Sequence, residues 1–298
     1  MHSLLFQNSI LNNKSLASET LREVPLNFKK FYSAHKYIDP NWLYWLIGFI
    51  EGDGNIYTSN EGRLILTITQ KEAEPLEEIK QVLGFGSVNY DKSSNCYRFK
   101  VQDNEGIYLL CLLLNGNLVQ EHRINQLGKW VDHLQLKGYD IKLKTTSRVP
   151  TYYDAWFSGF TDAEGCFNLH VFKRKESNTG FRVIIRFTLP QRDEKTLLLI
   201  KDFIKFGNVS KKKSNRPGLF VYTNTSFTNT LGLVNYFHKF PLKTKKKESF
   251  DKWCEIRTML LNKDHLSVEG LNKIIALGKL INKVNSEVLL KKDTDKLL

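Results

Sequence analysis

One stretch of sequence decides the fold: Trp42-Leu-Tyr-Trp-Leu-Ile-Gly-Phe-Ile-Glu-Gly-Asp-Gly54, which returns in altered form as Tyr153-Asp-Ala-Trp-Phe-Ser-Gly-Phe-Thr-Asp-Ala-Glu-Gly165. A constant offset aligns Trp45 with Trp156 and places one acidic residue, Asp53, on another, Glu164. The chain therefore contains an internal repeat, and a repeat of this length predicts a single fold that has been duplicated.

The match continues downstream of these two stretches. At a slightly larger offset, the aligned pairs are Gln70 with Gln191, Phe85-Gly86 with Phe206-Gly207, and Trp130 with Trp253. The growing offset indicates a longer loop in the second copy, around residues 173–180. We predict an N-terminal extension over residues 1–40, a first repeat over 41–144, a linker over 145–150, and a second repeat with a helical tail over 151–298.

Both copies have the same predicted order of elements, αββαββα. The first has a helix over 41–53, strands over 55–59 and 63–70, a helix over 75–83, a hairpin over 87–102 and a helix over 123–136. The second has a helix over 153–164, strands over 166–174 and 182–191, a helix over 194–206, a hairpin over 208–223, a helix over 246–260 and a last helix over 265–290. This order predicts an α+β fold of tandem repeats related by pseudo-twofold symmetry.

Alternation of apolar and polar residues predicts the character of the sheets. Leu64, Leu66 and Ile68 alternate with more polar positions, and residues 182–188 repeat the pattern with two arginines on the polar side. A period of two is typical of an antiparallel strand that is buried on one face only. We therefore expect two antiparallel sheets, each with a polar and basic open face.

Composition narrows the class of partner. The 298 residues include 44 Lys and Arg against 31 Asp and Glu, which leaves a formal net charge of +13. Such a surplus indicates a polyanion, either nucleic acid or an anionic membrane surface. No stretch approaches the roughly 18 apolar residues of a membrane span. The four cysteines lack zinc-site spacing, so we expect a reducing compartment and no structural zinc.

The C-terminal ends of the two predicted motif helices carry the chemistry. Small residues lie four apart on each helix: Gly48 and Gly52, then Gly159 and Ala163. They allow two helix backbones to approach closely, which would bring Asp53 and Glu164 together. A carboxylate at a helix C-terminus is disfavoured by the helix dipole, and a second carboxylate repels the first. Compensation by a cation is therefore expected, and hard oxygen ligands suit Mg²⁺ and phosphodiester chemistry.

The stretches Leu46–Gly54 and Phe157–Gly165 resemble the two motifs of the monomeric LAGLIDADG homing endonucleases, and the resemblance extends over about residues 41–285. It implies two sheets that form a DNA-binding saddle, two or three Mg²⁺ ions, and a site-specific cut in both strands that leaves short 3′ overhangs. A biological role in intron homing follows from the same resemblance. A strand of ~10 residues spans ~33 Å, so each sheet would cover about 10 base pairs and the target roughly 20.

The resemblance also assigns roles to individual residues. The implied metal ligands are Asp53 with the Gly52 carbonyl and Glu164 with the Ala163 carbonyl. The implied water-organising residues are Gln70 and Gln191, and the implied basic residues of the closing helices are Lys246 and Arg123, with His122 as the alternative in the first copy. The earlier acids of the motifs, Glu51 and Asp162, are expected to be structural.

Predicted DNA contacts come from the open faces of the sheets. In the first copy they are Asn55, Tyr57, Ser59, Arg63, Thr67, Arg98 and Lys100. In the second they are Asn168, His170, Arg174, Arg182, Arg186, Thr188, Lys211 and Lys212. Arginine in the major groove most often reads guanine, whereas the lysine run is expected to contact phosphate.

Two other functions stay open at this point: an RNA maturase that assists splicing of its own intron RNA, and a catalytically silent DNA-binding protein. The intact pair of acids favours the nuclease. Usage rich in Lys, Asn, Ile and Leu indicates an AT-rich organellar gene, so the expected location is the mitochondrion, with the chloroplast as the alternative. We expect a monomer with no obligate protein partner and no membrane association.

Overall fold

A computed structural model describes residues 38–212 and 218–281 of the chain. Most of the predicted N-terminal extension, Lys213 of the lysine run and the end of the predicted last helix therefore lie outside the described residues. Contacts divide the chain into two units, residues 1–163 and 164–298. This division reflects contacts in space, whereas the predicted repeat boundaries reflect the duplication in sequence, and those boundaries stay predictions.

Within residues 38–163, the first unit has eight elements and most of a ninth. They are α1 (Pro40–Asp53), β1 (Gly54–Thr58), β2 (Leu64–Gln70), α2 (Glu74–Leu83), β3 (Ser87–Asp91), β4 (Cys96–Val101), α3 (Asn104–Leu114), α4 (Glu121–Leu136) and α5 (Trp156–Glu164), whose last residue is counted with the second unit. Its four strands form one antiparallel sheet in the order β1-β2-β4-β3.

The second unit repeats the arrangement. Its elements are β5 (Cys166–Lys173), β6 (Phe181–Gln191), α6 (Glu194–Ile204), β7 (Asn208–Lys211), β8 (Phe220–Asn224), α7 (Leu231–Lys239), α8 (Lys246–Leu261), a 3₁₀ turn (Asp264–Leu266) and α9 (Val268–Leu280). The sheet order is β5-β6-β8-β7, which matches the first sheet strand for strand. The predicted α+β duplication is thus confirmed at the level of topology.

Helix α1 has a defined start and no polar side along most of its length. Pro40 occupies its first turn, where the missing N–H costs nothing, and Asp39 Oδ1 accepts from Asn41 N at 3.0 Å. Every residue from Trp42 to Glu51 is buried. The helix runs directly into β1, because Gly54 takes an extended backbone while its N–H still bonds to the Ile50 carbonyl.

Helices α1 and α5 touch backbone to backbone inside the first unit. A Cβ on Gly48 would lie 2.0 Å from the Trp156 carbonyl oxygen, and a Cβ on Gly159 would lie 1.8 Å from the Trp45 carbonyl oxygen. Only glycine permits this approach. Trp45 and Trp156 are each 1% exposed, which confirms them as core anchors.

Each repeat contains one helix that the sequence patterns did not predict. Helix α3 separates the β3-β4 hairpin from α4, and α7 does the same before α8, so the order is αββαββαα rather than αββαββα. The reason is clearest in α3, where every residue from Gly106 to Leu114 except Leu112 is buried. A helix that is apolar all round carries no amphipathic period, so the pattern that identifies a surface helix is missing.

Two other helix limits differ from the prediction. Helix α5 begins at Trp156 rather than at residue 153, because Asp154 Oδ1 accepts from the Trp156 amide at 2.9 Å and so caps the first turn. The last helix is Val268–Leu280, and it packs on β5 with Gly278 against Leu169, as expected for a tail tied to the second repeat.

The predicted linker is held down inside the first unit. Arg148 forms an ion pair of 3.0 Å with Asp154, its guanidinium stacks 4.2 Å over the Tyr44 ring, and its amide bonds to the Leu118 carbonyl. Both charged side chains are nearly inaccessible, with 9% and 2% exposure. Across residues 38–212 and 218–281, no helix combines the length and apolar character needed to cross a bilayer.

Candidate functional site

Asp53 stands at the C-terminal end of α1, where the chain passes into the first sheet. Gln70, the last residue of β2, donates from Nε2 to Asp53 Oδ2 at 2.5 Å. Because β2 pairs with β1, which begins one residue after Asp53, the end of β2 lies beside this acid and Gln70 can reach it. The structure thus brings Gln70 into contact with Asp53, while the predicted role of Gln70 in organising water stays a prediction.

Arg123 lies against the same end of α1. Its guanidinium donates to the Glu51 carbonyl from Nε at 3.0 Å and from Nη2 at 2.8 Å, and Nη2 also reaches the Gly52 carbonyl at 3.3 Å. Nη1 donates to Gln126 Oε1 at 3.1 Å. Arg123 is only 8% exposed, whereas its neighbour His122 is exposed.

Glu51 is a buried hydrogen-bond acceptor within the first unit. Its carboxylate accepts from the backbone amides of Val119 and Gln120 at 2.8–3.1 Å and from Trp156 Nε1 at 2.6 Å. Burial raises the pKa of Glu51 to about 7, against the opposing effects of these donors and of Arg123. The contacts are all N–H donors, so they favour the carboxylate. Its position agrees with a structural role.

Asp162 is the counterpart of Glu51 in the second motif. Its Oδ2 accepts from Trp45 Nε1 at 2.8 Å, which mirrors the bond between Trp156 and Glu51. Each earlier acid thus anchors the tryptophan of the other motif. The two rings also stack alike, since Trp45 on Phe49 and Trp156 on Phe160 both have centroids 4.9 Å apart.

The oxygens at the end of α1 are suitable ligands for a hard cation. A carboxylate offers about four lone-pair positions and a carbonyl two, so Asp53 and Gly52 keep acceptor capacity beside their bonds to Gln70 and Arg123. Within the described part of the chain, no group of three or more His, Cys, Asp or Glu side chains is placed to hold a metal. A set of one carboxylate and one carbonyl fits Mg²⁺, which keeps several waters and takes substrate phosphate as a further ligand.

The second motif presents the matching residues. Glu164 is the last residue of α5, after Ala163, and both are partly exposed. Gln191 is the last residue of β6, in register with Phe220 and half-buried. Lys246 opens α8 and is also half-buried. The roles assigned to these four residues stay predictions.

The open face of the first sheet collects the predicted DNA contacts of the first copy. Directly paired residues share a face, and the rows across the strands are Asn55-Thr67-Lys100-Ser87, Thr69-Arg98-Asn89 and Tyr57-Ile65. Ser59 and Arg63 close the β1-β2 hairpin on the same face. Ile65 departs from the polar pattern and is only 6% exposed.

The two arginines of this first face are already paired with acids. Arg98 bonds to Asp91 at 3.0 Å and Arg63 to Glu61 at 3.0 Å. Hydrogen bonds from Ser93 lower the pKa of Asp91 to about 2, so its charge persists at neutral pH. Both ion pairs are exposed, so solvent screens them and a phosphate can replace the acid at little cost.

The open face of the second sheet collects most of the second set. The rows are Cys166-Thr188-Thr223-Asn208, Asn168-Arg186, His170-Ile184 and Phe172-Arg182, with Arg174 at the hairpin end. The Arg182 guanidinium lies 6.0 Å from the Phe172 ring, and Arg174 bonds to Glu176 at 3.6 Å.

Arg186 and Asn168 form a cross-strand pair whose polar atoms are incompletely satisfied. Arg186 Nε and Asn168 Oδ1 are both shielded from solvent, and neither has a hydrogen-bond partner among residues 38–212 and 218–281. Burial, together with the charge of Arg186, lowers the pKa of His170. A buried donor and a buried acceptor without partners each carry a desolvation cost, which a rearrangement on ligand binding would relieve.

The two predicted lysines at the end of β7, Lys211 within the strand and Lys212 directly after it, lie on opposite faces. Asn208 and Ser210 share the open face, and Lys212 continues that alternation with its amide bonded to the Leu219 carbonyl. Lys211 pairs with Phe220 and lies on the other face at the sheet edge. Both side chains are exposed.

Sequence reasoning missed several open-face positions: Ser87, Asn89, Cys166, Asn208 and Ser210 on outer strands, and Thr223 on the inner strand β8. The alternation of residues within each hairpin was a usable signal for them. Reasoning from sequence also missed the amides of Val119 and Gln120, because backbone donors leave no trace in residue type.

Comparison with known proteins places both motifs within one family. The model of the LAGLIDADG endonuclease family matches residues 46–134 and 157–257. A probable intron-encoded endonuclease 4 of Neurospora crassa is 36% identical over 248 residues, covering 82% of this chain and 45% of that protein. The intron-encoded RNA maturase bI4 of Saccharomyces cerevisiae is 32% identical over 149 residues, covering 48% of this chain and 22% of that protein.

A solved structure supports the same fold. The LAGLIDADG meganuclease I-AabMI bound to uncleaved DNA superimposes with a TM-score of 0.69 at 24% identity, covering 80% of this chain and 99% of that one. At this identity the likeness establishes the fold alone. The chain spans less than half the length of either curated relative.

Proposed function

This chain belongs to the LAGLIDADG endonuclease family, and we propose that it is a homing endonuclease that cuts both strands of a long, asymmetric DNA site. The observation that carries the proposal is the intact acid at the end of each motif helix, Asp53 and Glu164, with Gln70 bonded to the first of them. A silent DNA-binding descendant would have no need to retain both acids.

The proposed metal ligands are Asp53 with the Gly52 carbonyl and Glu164 with the Ala163 carbonyl. Bound Mg²⁺, as two or three ions, would supply an activated water and charge neutralisation at the scissile phosphate. The chain's own part is to hold the oxygens in place. Gln70 fixes the Asp53 carboxylate by its hydrogen bond, and Gln191 and Lys246 are proposed to orient water and phosphate in the second repeat.

The proposed target is a duplex of roughly 20 base pairs, read by a monomer with one sheet for each half-site. Strand β6 has 11 residues, which at ~3.4 Å per residue is enough to follow about 10 base pairs. The two open faces carry different residues, so the site should be asymmetric. Cleavage that leaves short 3′ overhangs, and a role in intron homing, belong to the same proposal.

The decisive experiment selects a target before it measures cleavage. A random duplex library is bound to the protein in Ca²⁺, which accepts the same oxygens in looser geometry and should permit binding without turnover. The selected duplex is then incubated with Mg²⁺ or with EDTA. We expect cleavage of both strands in Mg²⁺ only.

Matched variants separate the acids from the rest of the surface. Asp53→Asn and Glu164→Gln should each abolish double-strand cleavage while the affinity for the selected duplex in Ca²⁺ stays near that of the wild-type protein. Glu61→Gln, on the exposed hairpin of the first sheet, is the control and should cut normally. Cleavage at the wild-type rate by Asp53→Asn would remove the proposal.

The alternative function, an RNA maturase, is favoured by one observation: the similarity to the maturase bI4 over about half of this chain. The two functions make different demands. Splicing of the intron transcript in vitro that persists in the Asp53→Asn variant, with no duplex selected in Ca²⁺, would favour the maturase. We further propose a mitochondrial location, since both curated relatives named above are intron-encoded proteins of fungi.

A further inference from the structure

We infer that Arg123 is a positioning residue for metal binding in the first repeat, holding the Gly52 carbonyl and Asp53 in place, and that it contacts neither DNA nor the reacting atoms. This inference rests on the proposed function. It differs from the catalytic role that the resemblance implied for Arg123 as the basic residue at the start of the closing helix.

The Arg123 guanidinium makes its hydrogen bonds with the end of α1 and with Gln126. Two of its nitrogens bind the Glu51 carbonyl, one of these also reaches Gly52, and the third binds Gln126, at distances of 2.8–3.3 Å. With 8% of the residue exposed, little of it is accessible to a phosphate group. The exposed residue beside it at the start of α4 is His122.

The second step is what the end of α1 requires. The last four carbonyls of a helix have no partner within it. In α1 the Gly54 amide satisfies Ile50, and Arg123 takes the next two carbonyls, of Glu51 and Gly52. A cation at this end also opposes the negative pole of the helix dipole. The arginine thereby sets the direction of the last turn, which carries Asp53.

The third step is compatibility with a metal ion. A carbonyl oxygen has two lone pairs, so Gly52 can accept from Arg123 and still present an oxygen to a cation. The 3.3 Å contact from Arg123 is long, so it occupies at most one of these two positions. A guanidinium close to a metal also repels it, and the Glu51 carboxylate beside Arg123 offsets part of that repulsion. If alignment of the ligands dominates, replacing the arginine should weaken metal binding. If charge repulsion dominates, replacing it should strengthen metal binding.

The experiment measures Mn²⁺ binding by electron paramagnetic resonance, on the protein alone and on its complex with the selected duplex. Arg123→Lys keeps the positive charge but loses the planar set of guanidinium N–H donors, and Arg123→Gln loses both the charge and this set of donors. We expect the Mn²⁺ dissociation constant to rise about 10-fold in each variant, within the range known for residues that support metal ligands. Asp53→Asn is the positive control and Lys129→Gln, exposed on the same helix, is the negative control. All proteins are compared well below their Tm.

Single-turnover cleavage separates positioning from contact with the reacting atoms. With Mn²⁺ raised to saturation, Arg123→Lys should recover a rate within about twofold of the wild-type protein, because the ligands are misaligned but present. An unchanged Mn²⁺ affinity with a low rate at saturation would overturn the inference, since it assigns Arg123 to the reacting centre. Tighter Mn²⁺ binding in Arg123→Gln would also overturn it, since repulsion would then outweigh alignment.

Failure of the inference is distinct from failure of the proposed function. If the wild-type protein binds Mn²⁺ and cuts no duplex, the proposed function is wrong, whatever Arg123 does. If the wild-type protein cuts and Arg123→Lys has the wild-type Mn²⁺ affinity, only the inference is wrong.

Discussion

The indole nitrogen of Trp45 donates a 2.8 Å hydrogen bond to Oδ2 of Asp162, and through it α1 is fastened to the acid of the other motif helix. The bond from Trp156 to Glu51, at 2.6 Å, does the same in the opposite direction. The earlier acid of each motif therefore stabilises the contact between the two helices, whereas the later acid is the one that we propose for metal binding.

Replacing Glu51 by glutamine should destabilise the protein. The carboxylate accepts from three N–H donors, two backbone amides and one indole, and a side-chain amide would place its own N–H₂ against one of them. We expect a loss of about 2–4 kcal/mol in the free energy of unfolding. Chemical denaturation measures it. Glu105→Gln, exposed in the first turn of α3, is the control, and equal effects in both variants would contradict the assigned role of Glu51.

Adding one methyl group at the contact of α1 and α5 should be as damaging. Gly48→Ala and Gly159→Ala each place a Cβ within 2.0 Å of a backbone oxygen, which cannot move aside as a side chain can. Each variant should lose at least about 2 kcal/mol in the free energy of unfolding, which corresponds to a fall of roughly 4–8 °C in Tm. Gly128→Ala in α4 is the matched control, because its Cβ meets only the end of Leu143 at 3.1 Å. A Tm near that of the wild-type protein in Gly159→Ala would mean that the two helices do not touch there.

Specificity should be concentrated on the second sheet around Arg186. Its side chain is partly exposed on the open face, where the guanidinium can meet a base edge, and a good arginine contact is worth about 1–3 kcal/mol of discrimination. Arg186→Ala should relax preference at one or two positions of one half-site. Lys212→Ala, exposed on the same face, should weaken binding to all sequences alike and lower the salt dependence. Cleavage profiles over singly substituted targets decide between them. A uniform loss in Arg186→Ala would count against base reading.

The four thiols should divide into two classes in the native protein. Burial raises the pKa of Cys254 to about 12 and that of Cys111 still further, so almost no thiolate forms at pH 8. Cys96 and Cys166 lie on the two open faces and should react with a disulfide reagent first. In the unfolded protein, all four thiols should react with the reagent. The selected duplex should protect Cys96 and Cys166, and fast labelling of both in the complex would argue that DNA binds elsewhere.

Much of the fold was predictable because its signals are local. The duplicated motif, the strands and their open faces follow from residues that are neighbours in sequence, and the rows through Asn55 and through Asn168 confirm the period of two. The close approach of Gly48 and Gly159 was also foreseeable, since small residues four apart leave one helix face bare.

The sequence by itself determined the two acids, the glycine stripes and the alternating strands, because each depends on the spacing of residues along one element. The tertiary structure alone decided that α3 is a helix, that Arg98 meets Asp91, and that Arg123 turns inward to the end of α1 while His122 faces solvent. These outcomes depend on which groups distant in sequence are packed together. Helix α3 needs no amphipathic pattern because the neighbouring elements enclose it on all sides. Likewise, Arg123 is buried only because α1 packs against it.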